Sequence, residues 1–532
     1  MPTIFLLMPR KIFPLLAFGI LIGCLAPSVS WSNPANYDLV ILNGRVMDPE
    51  TQLDAVRNVG VKDGKIAVIT GKTITGKEII DAKDHVVAPG FVDGHSHVVD
   101  QPLGQRLMLR DGVTTPLDLE VGALPVSRWY DRMKGKSQTN YGASVSVMGA
   151  RAGTFDPSWL KASSGGSSYD MFSGKDKIPA DAYNRVPNDQ EIANILKLID
   201  QGLKEGGLGI GPPTGYMVNG FTSQEMIGAQ KLAGKYGRFS HVHTRFSSQV
   251  APTSGILAFQ EAIASAGKYG GGVIIAHFTA QALNLTQATM DYFDALRADG
   301  VPVVLEVYPY NFGGAGNGIQ ADYLEPHNFQ HNMGRTYSDI IDTTTGKRLT
   351  KETYDSLVKS DPSHGVLFYN AKEEDVLKAV AHPDVLIGCD CFPMSDAHGK
   401  FVDAWDTPFE EVKTHPRTAG AHGKVLRLTR EKKLMPLMTA ISKMSYQYAK
   451  FLEDNGVPQM ANKGRIKVGA DADITIFDPE TVRDNSSLEK GKNGLPSTGI
   501  PYVVVNGTIV VKDSKVLKDV FPGKPIRSPA IN

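Results

Sequence analysis

Cysteine is scarce in this chain, with three residues in 532. So few exclude a small disulfide-stapled scaffold, which needs cysteines at high density. Cys24 lies in an N-terminal apolar run, while Cys389 and Cys391 flank Asp390. A bridge between residues so close is expected to be strained, so that pair is predicted to be small buried hydrophobes. An excess of one charge is also missing. Lys+Arg and Asp+Glu number 56 each, which gives no basis for a nucleic-acid or polyanionic partner. Beyond residue 26 no apolar run approaches the length a membrane-spanning helix needs. Nothing in the sequence sets an oligomeric state.

What the N-terminus does contain reads as a targeting segment. Arg10-Lys11 supply positive charge, 12–26 is an uncharged apolar run, and small residues follow as far as Ser32. Residues 1–32 are therefore expected to be a signal peptide, cleaved near Ser30 or Ser32, giving a periplasmic or secreted protein. Leu21-Ile22-Gly23-Cys24 offers an alternative, a lipoprotein box that would leave the mature chain anchored at Cys24.

The remaining length suits one large α/β barrel with an accessory domain. Alternating strand residues recur at both ends, with turn signals at Asn43-Gly44, Asp63-Gly64 and Asn506-Gly507. The two ends, 33–85 and 456–532, are predicted to form a single small β-sandwich. Between them, 86–455 shows eight strand-like segments, at 86–97, 113–121, 142–150, 208–212, 239–243, 273–279, 301–308 and 385–391. Helical patterns separate them; Ile192, Ile195, Ile199 and Leu203 make one apolar stripe, capped by Asn188 or Asp189. Eight such alternations predict an α/β fold of the (β/α)8 TIM-like type. Two irregular stretches, 163–185 and 311–375, are predicted to be loops over the barrel mouth.

Such barrels place their chemistry at the C-terminal ends of the strands. His95 and His97 end the first segment and share a face, because alternate residues of a strand do. Glu120 ends the second, His243 the fifth, His277 the sixth and Asp390 the eighth. All are residue types that bind zinc. Two alternatives stay open on spacing alone: His241 shares a face with His243, and Asp118 with Glu120. His243 is preferred as nearer the mouth. His398 and His415 lie beyond the eighth strand, where surface or substrate contacts are expected.

The string Pro89-Gly-Phe-Val-Asp-Gly-His-Ser-His97, the later single histidines, Asp390 and Gly469-Ala-Asp-Ala-Asp-Ile-Thr-Ile-Phe-Asp478 resemble the amidohydrolase superfamily. His243-Thr-Arg245, Tyr308-Pro-Tyr310 and His415-Pro-Arg417 resemble its N-acyl-D-amino-acid deacylase (D-aminoacylase) branch. The resemblance implies one or two Zn2+ ions, with His95, His97 and Asp390 on one side, His243 and His277 on the other and Glu120 between. It implies hydrolysis of a linear amide, Asp390 acting first as general base and then as general acid. It further implies Tyr308 and Arg417 as contacts to the α-carboxylate of a small N-acyl amino-acid substrate. An Arg417 salt bridge to Glu410 or Glu411 is the competing structural role. Three departures from the family pattern stand out. No lysine occurs in the fourth strand segment, Glu120 stands where D-aminoacylases carry a cysteine, and Thr279 and Gly314 replace a lysine and a serine of the pocket. A cyclic-amide hydrolase of hydantoinase or dihydroorotase type, or an exported barrel without catalysis, are the alternatives.

Overall fold

A computed structural model describes residues 37–165, 177–314 and 318–530. The predicted signal segment and the Cys24 box fall outside them. Both ends of the described chain enter one sheet, built from β1 (Tyr37–Asp48), β2 (Leu53–Lys62), β3 (Lys65–Thr70), β4 (Gly76–Asp81) and β5 (Val86–Pro89) with four C-terminal strands. The late strands are β17 (Ile474–Phe477), β18 (Tyr502–Val505), β19 (Thr508–Lys512) and β20 (Lys515–Val516); the sheet order is β20-β19-β18-β17-β5-β1-β2-β3, and β4 runs beside β1. Leu39, Ile41, Val59, Val61, Ile474 and Ile476 form its dry core. Each of these pairs lies two residues apart on its strand, so one face is driven inward.

Two details depart from the sequence reading. Asn43-Gly44 does not turn the chain: β1 runs through it with a register shift, and Asn43 takes φ 60°. The left-handed residue absorbs a bulge there, and the reversal comes after Asp48. Asp63-Gly64 and Asn506-Gly507 do make the tight turns, with positive φ at both positions of each pair. Val86–Pro89, expected to open the barrel, instead pairs with β1 and β17 in the end sheet. The chain crosses to the barrel at Gly90, where a Cβ would lie 2.3 Å from Thr114 Oγ1.

The barrel strands are β6 (Phe91–Asp93), β7 (Val113–Ala123), β8 (Gly142–Ser146), β9 (Ile210–Gly211), β10 (Ser240–Val242), β11 (Val273–Ile275), β12 (Val303–Val307) and β16 (Val385–Ile387). They pair in sequence order, all parallel. Residues past β16 and β6 close the seam through His97 N–H to Cys391 C=O (3.0 Å) and Cys391 N–H to His95 C=O (3.2 Å). Ala150, expected in the third strand, lies in a helix, Val147–Phe155, that Ser146 caps by accepting from Gly149 N–H. The predicted apolar stripe forms the helix Asp189–Lys204, and the cap is Asn188, reciprocated by Glu191. Below the strands, the helix Tyr446–Asp454 fills the floor, packing Tyr448, Ala449 and Leu452 against Val92, Phe239, Ile274 and Leu386.

The stretch after β12 is more ordered than expected. β13 (Gly313–Gly314), β14 (Ile340–Asp342) and β15 (Val366–Phe368) form a small sheet. Ile319, Leu324, Phe329, Ile340, Tyr354 and Phe368 give it a core of its own. Its Tyr323, Met333 and Phe368 line the pocket beside Asp390, so it stands at the mouth as a packed unit rather than as loops; of the other stretch predicted to be a mouth loop, 166–176 lie outside the described residues. Cys389 and Cys391 are buried as expected, but disulfide-bonded rather than free. An extended strand would hold their Cα atoms about 6.6 Å apart. Here Asp390 takes φ 48°, and the Cα–Cα distance falls to 4.9 Å, within disulfide range.

Candidate metal centre

Strand ends bring the predicted residues to one point above the barrel floor. Glu120 lies at its middle, on β7. One carboxylate oxygen, Oε2, is 3.3 Å from His95 Nε2 and 3.2 Å from His97 Nε2. The other, Oε1, is 2.8 Å from His243 Nδ1 and 3.3 Å from His277 Nε2. Asp390 completes the first group, its Oδ1 lying 3.3 Å from His95 Nε2 and 3.4 Å from His97 Nε2. Its Oδ2 is 4.0 Å from His277 Nε2. All six side chains are buried.

The open alternatives resolve by depth. His243 reaches Glu120; His241 lies within β10, one pleat lower, and faces Glu306 at 3.3 Å. Glu120 occupies the centre, while Asp118 stands behind His97, 3.5 Å from its Nδ1. His398 is exposed, and His415 is buried, its Nε2–H donating to the Phe312 carbonyl at 2.9 Å.

Glu306 was not singled out from the sequence. It accepts from His95 Nδ1 at 2.6 Å and also from the Tyr448 hydroxyl. Holding the proton on Nδ1 turns the Nε2 lone pair of His95 toward Glu120 and Asp390. The signal was present, a single carboxylate inside the apolar strand Val303–Val307.

The charge balance favours a cation. Burial opposes a charged His95, yet Glu306, Asp390 and Glu120 outweigh it and raise this imidazole well above its ordinary pKa. Burial likewise works against Asp390, but the Arg417 guanidinium and His95 hold its carboxyl well below the usual carboxylate range. His95 Nε2 and Glu120 Oε2 are buried without a hydrogen-bond partner, although they face each other. Buried polar atoms left unpaired are costly. A divalent ion held by imidazole nitrogens and carboxylate oxygens relieves that cost, and this donor set suits zinc.

Arg417 pairs with neither Glu410 nor Glu411. Its Nη2 is 2.7 Å from Asp390 Oδ2, and its Nε donates to the Asp390 backbone oxygen at 2.5 Å. Its guanidinium carbon stacks 4.5 Å from the centre of the Tyr308 ring. A pocket opens over Asp390, walled by Tyr216, Ser247 and Tyr308 from the barrel and by Tyr323, Met333 and Phe368 from the insertion. No lysine lies in β9 or among the lining residues described.

A parallel barrel with histidines and carboxylates gathered at the strand ends is the architecture of a metal-dependent hydrolase. A model of the amidohydrolase family matches residues 218–511, more than half of the chain, and the chain belongs to that family. It is 25% identical over 508 residues to the N-acyl-D-glutamate deacylase of Alcaligenes xylosoxydans xylosoxydans, covering 89% of this chain and 93% of that one. The D-aminoacylase of the same organism is also 25% identical, over 91% of this chain and 96% of the relative. Among solved structures, the N-acyl-D-glutamate deacylase of Bordetella bronchiseptica, complexed with zinc and a phosphonate inhibitor, superposes with a TM-score of 0.72. That match has 22% identity and covers 93% of this chain and all of the other, which establishes the shared fold.

Proposed function

We propose that this protein is a zinc-dependent deacylase that hydrolyses the linear amide of N-acyl-D-amino acids. The observation that carries the reading is Glu120, one buried carboxylate divided between two histidine pairs with Asp390 facing the pocket. His95, His97 and Asp390 would hold one ion, His243 and His277 a second, and Glu120 would serve both. Bound there, zinc supplies Lewis acidity that polarises the acyl carbonyl and acidifies water.

The protein's own groups handle the proton. Asp390, kept ionised by Arg417, accepts a proton from the attacking water as the new C–O bond forms. The same carboxyl then donates it to the amide nitrogen as the C–N bond breaks, releasing a carboxylic acid and an amine. Arg417 thus positions the base through Nη2 and Nε, and Tyr308 stacks against it to keep the guanidinium in plane. The Glu306–His95 hydrogen bond fixes one nitrogen toward the reacting centre.

The test is metal content with turnover on matched N-acetyl-D- and N-acetyl-L-amino acids beside hydantoins. Zinc-dependent release of D-amino acids supports the reading. Hydantoin opening in its place would favour the cyclic-amide alternative, which the lack of a β9 lysine disfavours. A metal-free, inactive protein would favour the non-catalytic barrel. We further propose that the protein is exported, on the signal-like sequence pattern of 1–32, and the Cys389–Cys391 bond suits an oxidising compartment. N-terminal sequencing of the mature protein, with Cys24 either removed or lipidated, decides between the soluble and anchored forms.

A further inference from the structure

The insertion brings a polar group to the pocket that no motif announced. β13 pairs with β15, setting Gly313 opposite Phe368, and the chain continues from there to Asn370. Two backbone contacts hold Asn370 in place: its carbonyl accepts from Arg335 Nη2 at 3.1 Å, and the next amide donates to the Asn311 carbonyl at 3.2 Å. Asn370 lines the pocket, and its Nδ2 lies on the Gly313 side.

Three polar groups converge above Gly313. A Cβ built on that glycine would lie 3.1 Å from Asn370 Nδ2, 3.1 Å from the Tyr308 hydroxyl and 3.7 Å from Arg417 Nη1. The φ of Gly313 is not positive, so an added Cβ there would crowd these three groups rather than strain the backbone. Arg417 commits Nη2 and Nε to Asp390, which leaves Nη1 to point into this cradle. Tyr308 is within hydrogen-bonding reach of both Asn370 and Arg417.

We propose that Asn370 is a substrate-binding residue which, with Tyr308 and Arg417, closes a three-donor cradle for the substrate's α-carboxylate above Gly313. This rests on the deacylase reading for the identity of the ligand. An amide N–H, a hydroxyl and a guanidinium N–H converging on one spot match a carboxylate's acceptor-only oxygens. Asn370 supplies the donor on the insertion side, where Gly314 offers no side chain of its own.

The test compares N-acetyl-D-leucine with N-acetyl-D-leucinamide on zinc-loaded enzyme, and calorimetric binding of D-leucine with D-leucinamide. Losing a hydrogen bond to a charged group typically weakens binding about ten- to a hundredfold, so Asn370→Ala should raise KM for the carboxylate by about tenfold. Asn370→Asp, which sets like charges together, should raise it by about a hundredfold or more and leave the carboxamide within about threefold. Gly313→Ala should erase the preference for carboxylate over carboxamide, with melting temperature and metal content kept. In each case kcat should change less than KM. Equal losses on both substrates, or no loss, would overturn the assignment. A wild-type enzyme inert toward every N-acyl amino acid would overturn the deacylase reading instead. The cradle is then judged by calorimetry: carboxylate binding that Gly313→Ala abolishes upholds it, and no carboxylate binding by wild type sinks it.

Discussion

His95-Ser96-His97 follows β6, and His241-Val242-His243 ends β10. The spacing is the same, but the outcomes differ. Both imidazoles of the first pair lie within 3.3 Å of Glu120. In the second only His243 touches it, and His241 faces Glu306 with no hydrogen bond on either ring nitrogen. The cause is depth. Asp93 ends β6 before its histidines begin, whereas His241 is still inside β10. Period-two spacing sets which face a side chain takes, while the end of the strand sets whether it reaches the mouth.

The strongest way to break that comparison is at Asp390, which both histidines of the first pair share. Asp390→Asn should lower kcat by about 10²–10⁴-fold, the usual worth of a positioned acid–base group, with most of the zinc retained. A near wild-type rate would remove the carboxylate from the chemistry. Next come the paired variants of the second motif. His243→Ala should lose bound zinc by elemental analysis and most of its activity. His241→Ala should keep its zinc and instead lose stability, by about 1–3 kcal/mol in denaturant unfolding, as other buried truncations do. Equal zinc loss in both would mean that depth does not separate the two histidines.

Two smaller effects sharpen the picture. Glu306→Gln keeps the shape but removes the charge behind His95, and should cost about 10–100-fold in metal affinity or activity. Asp118→Asn, acting on His97 from 3.5 Å, should fall at or below the low end of that range. Zinc titration of the apo-protein against a competing chelator reads both. An Asp118 effect larger than that of Glu306 would reverse the ranking.

The two His-x-His motifs also mark how far the sequence could be read. That His95, His97, the carboxylate at 120 and the single histidine at 277 gather at one point followed from the barrel's rule of strand ends, although β6 stops at Asp93 and strand period does not extend to the two histidines. The helix Asp189–Lys204 and the Asp63-Gly64 turn were legible because caps and positive-φ positions demand particular residues. Asn43-Gly44 misled because a bulge and a turn ask the same of the backbone. The disulfide was missed because extended spacing was assumed, and the positive φ of Asp390 is invisible in the sequence. Glu306 could have been found, as a carboxylate in an apolar strand; Asn370 could not.

By itself the sequence determined the alternation of strands and helices, the return of the chain's end to its beginning, and the chemical types at the strand ends. Those follow from local rules of period, turn chemistry and residue class. Only the tertiary structure decided that His243 and not His241 reaches Glu120, that Arg417 holds Asp390 rather than a loop glutamate, and that Tyr323, Met333, Phe368 and Asn370 wall the pocket. Each depends on distances between strands far apart in the chain, and packing alone fixes those distances.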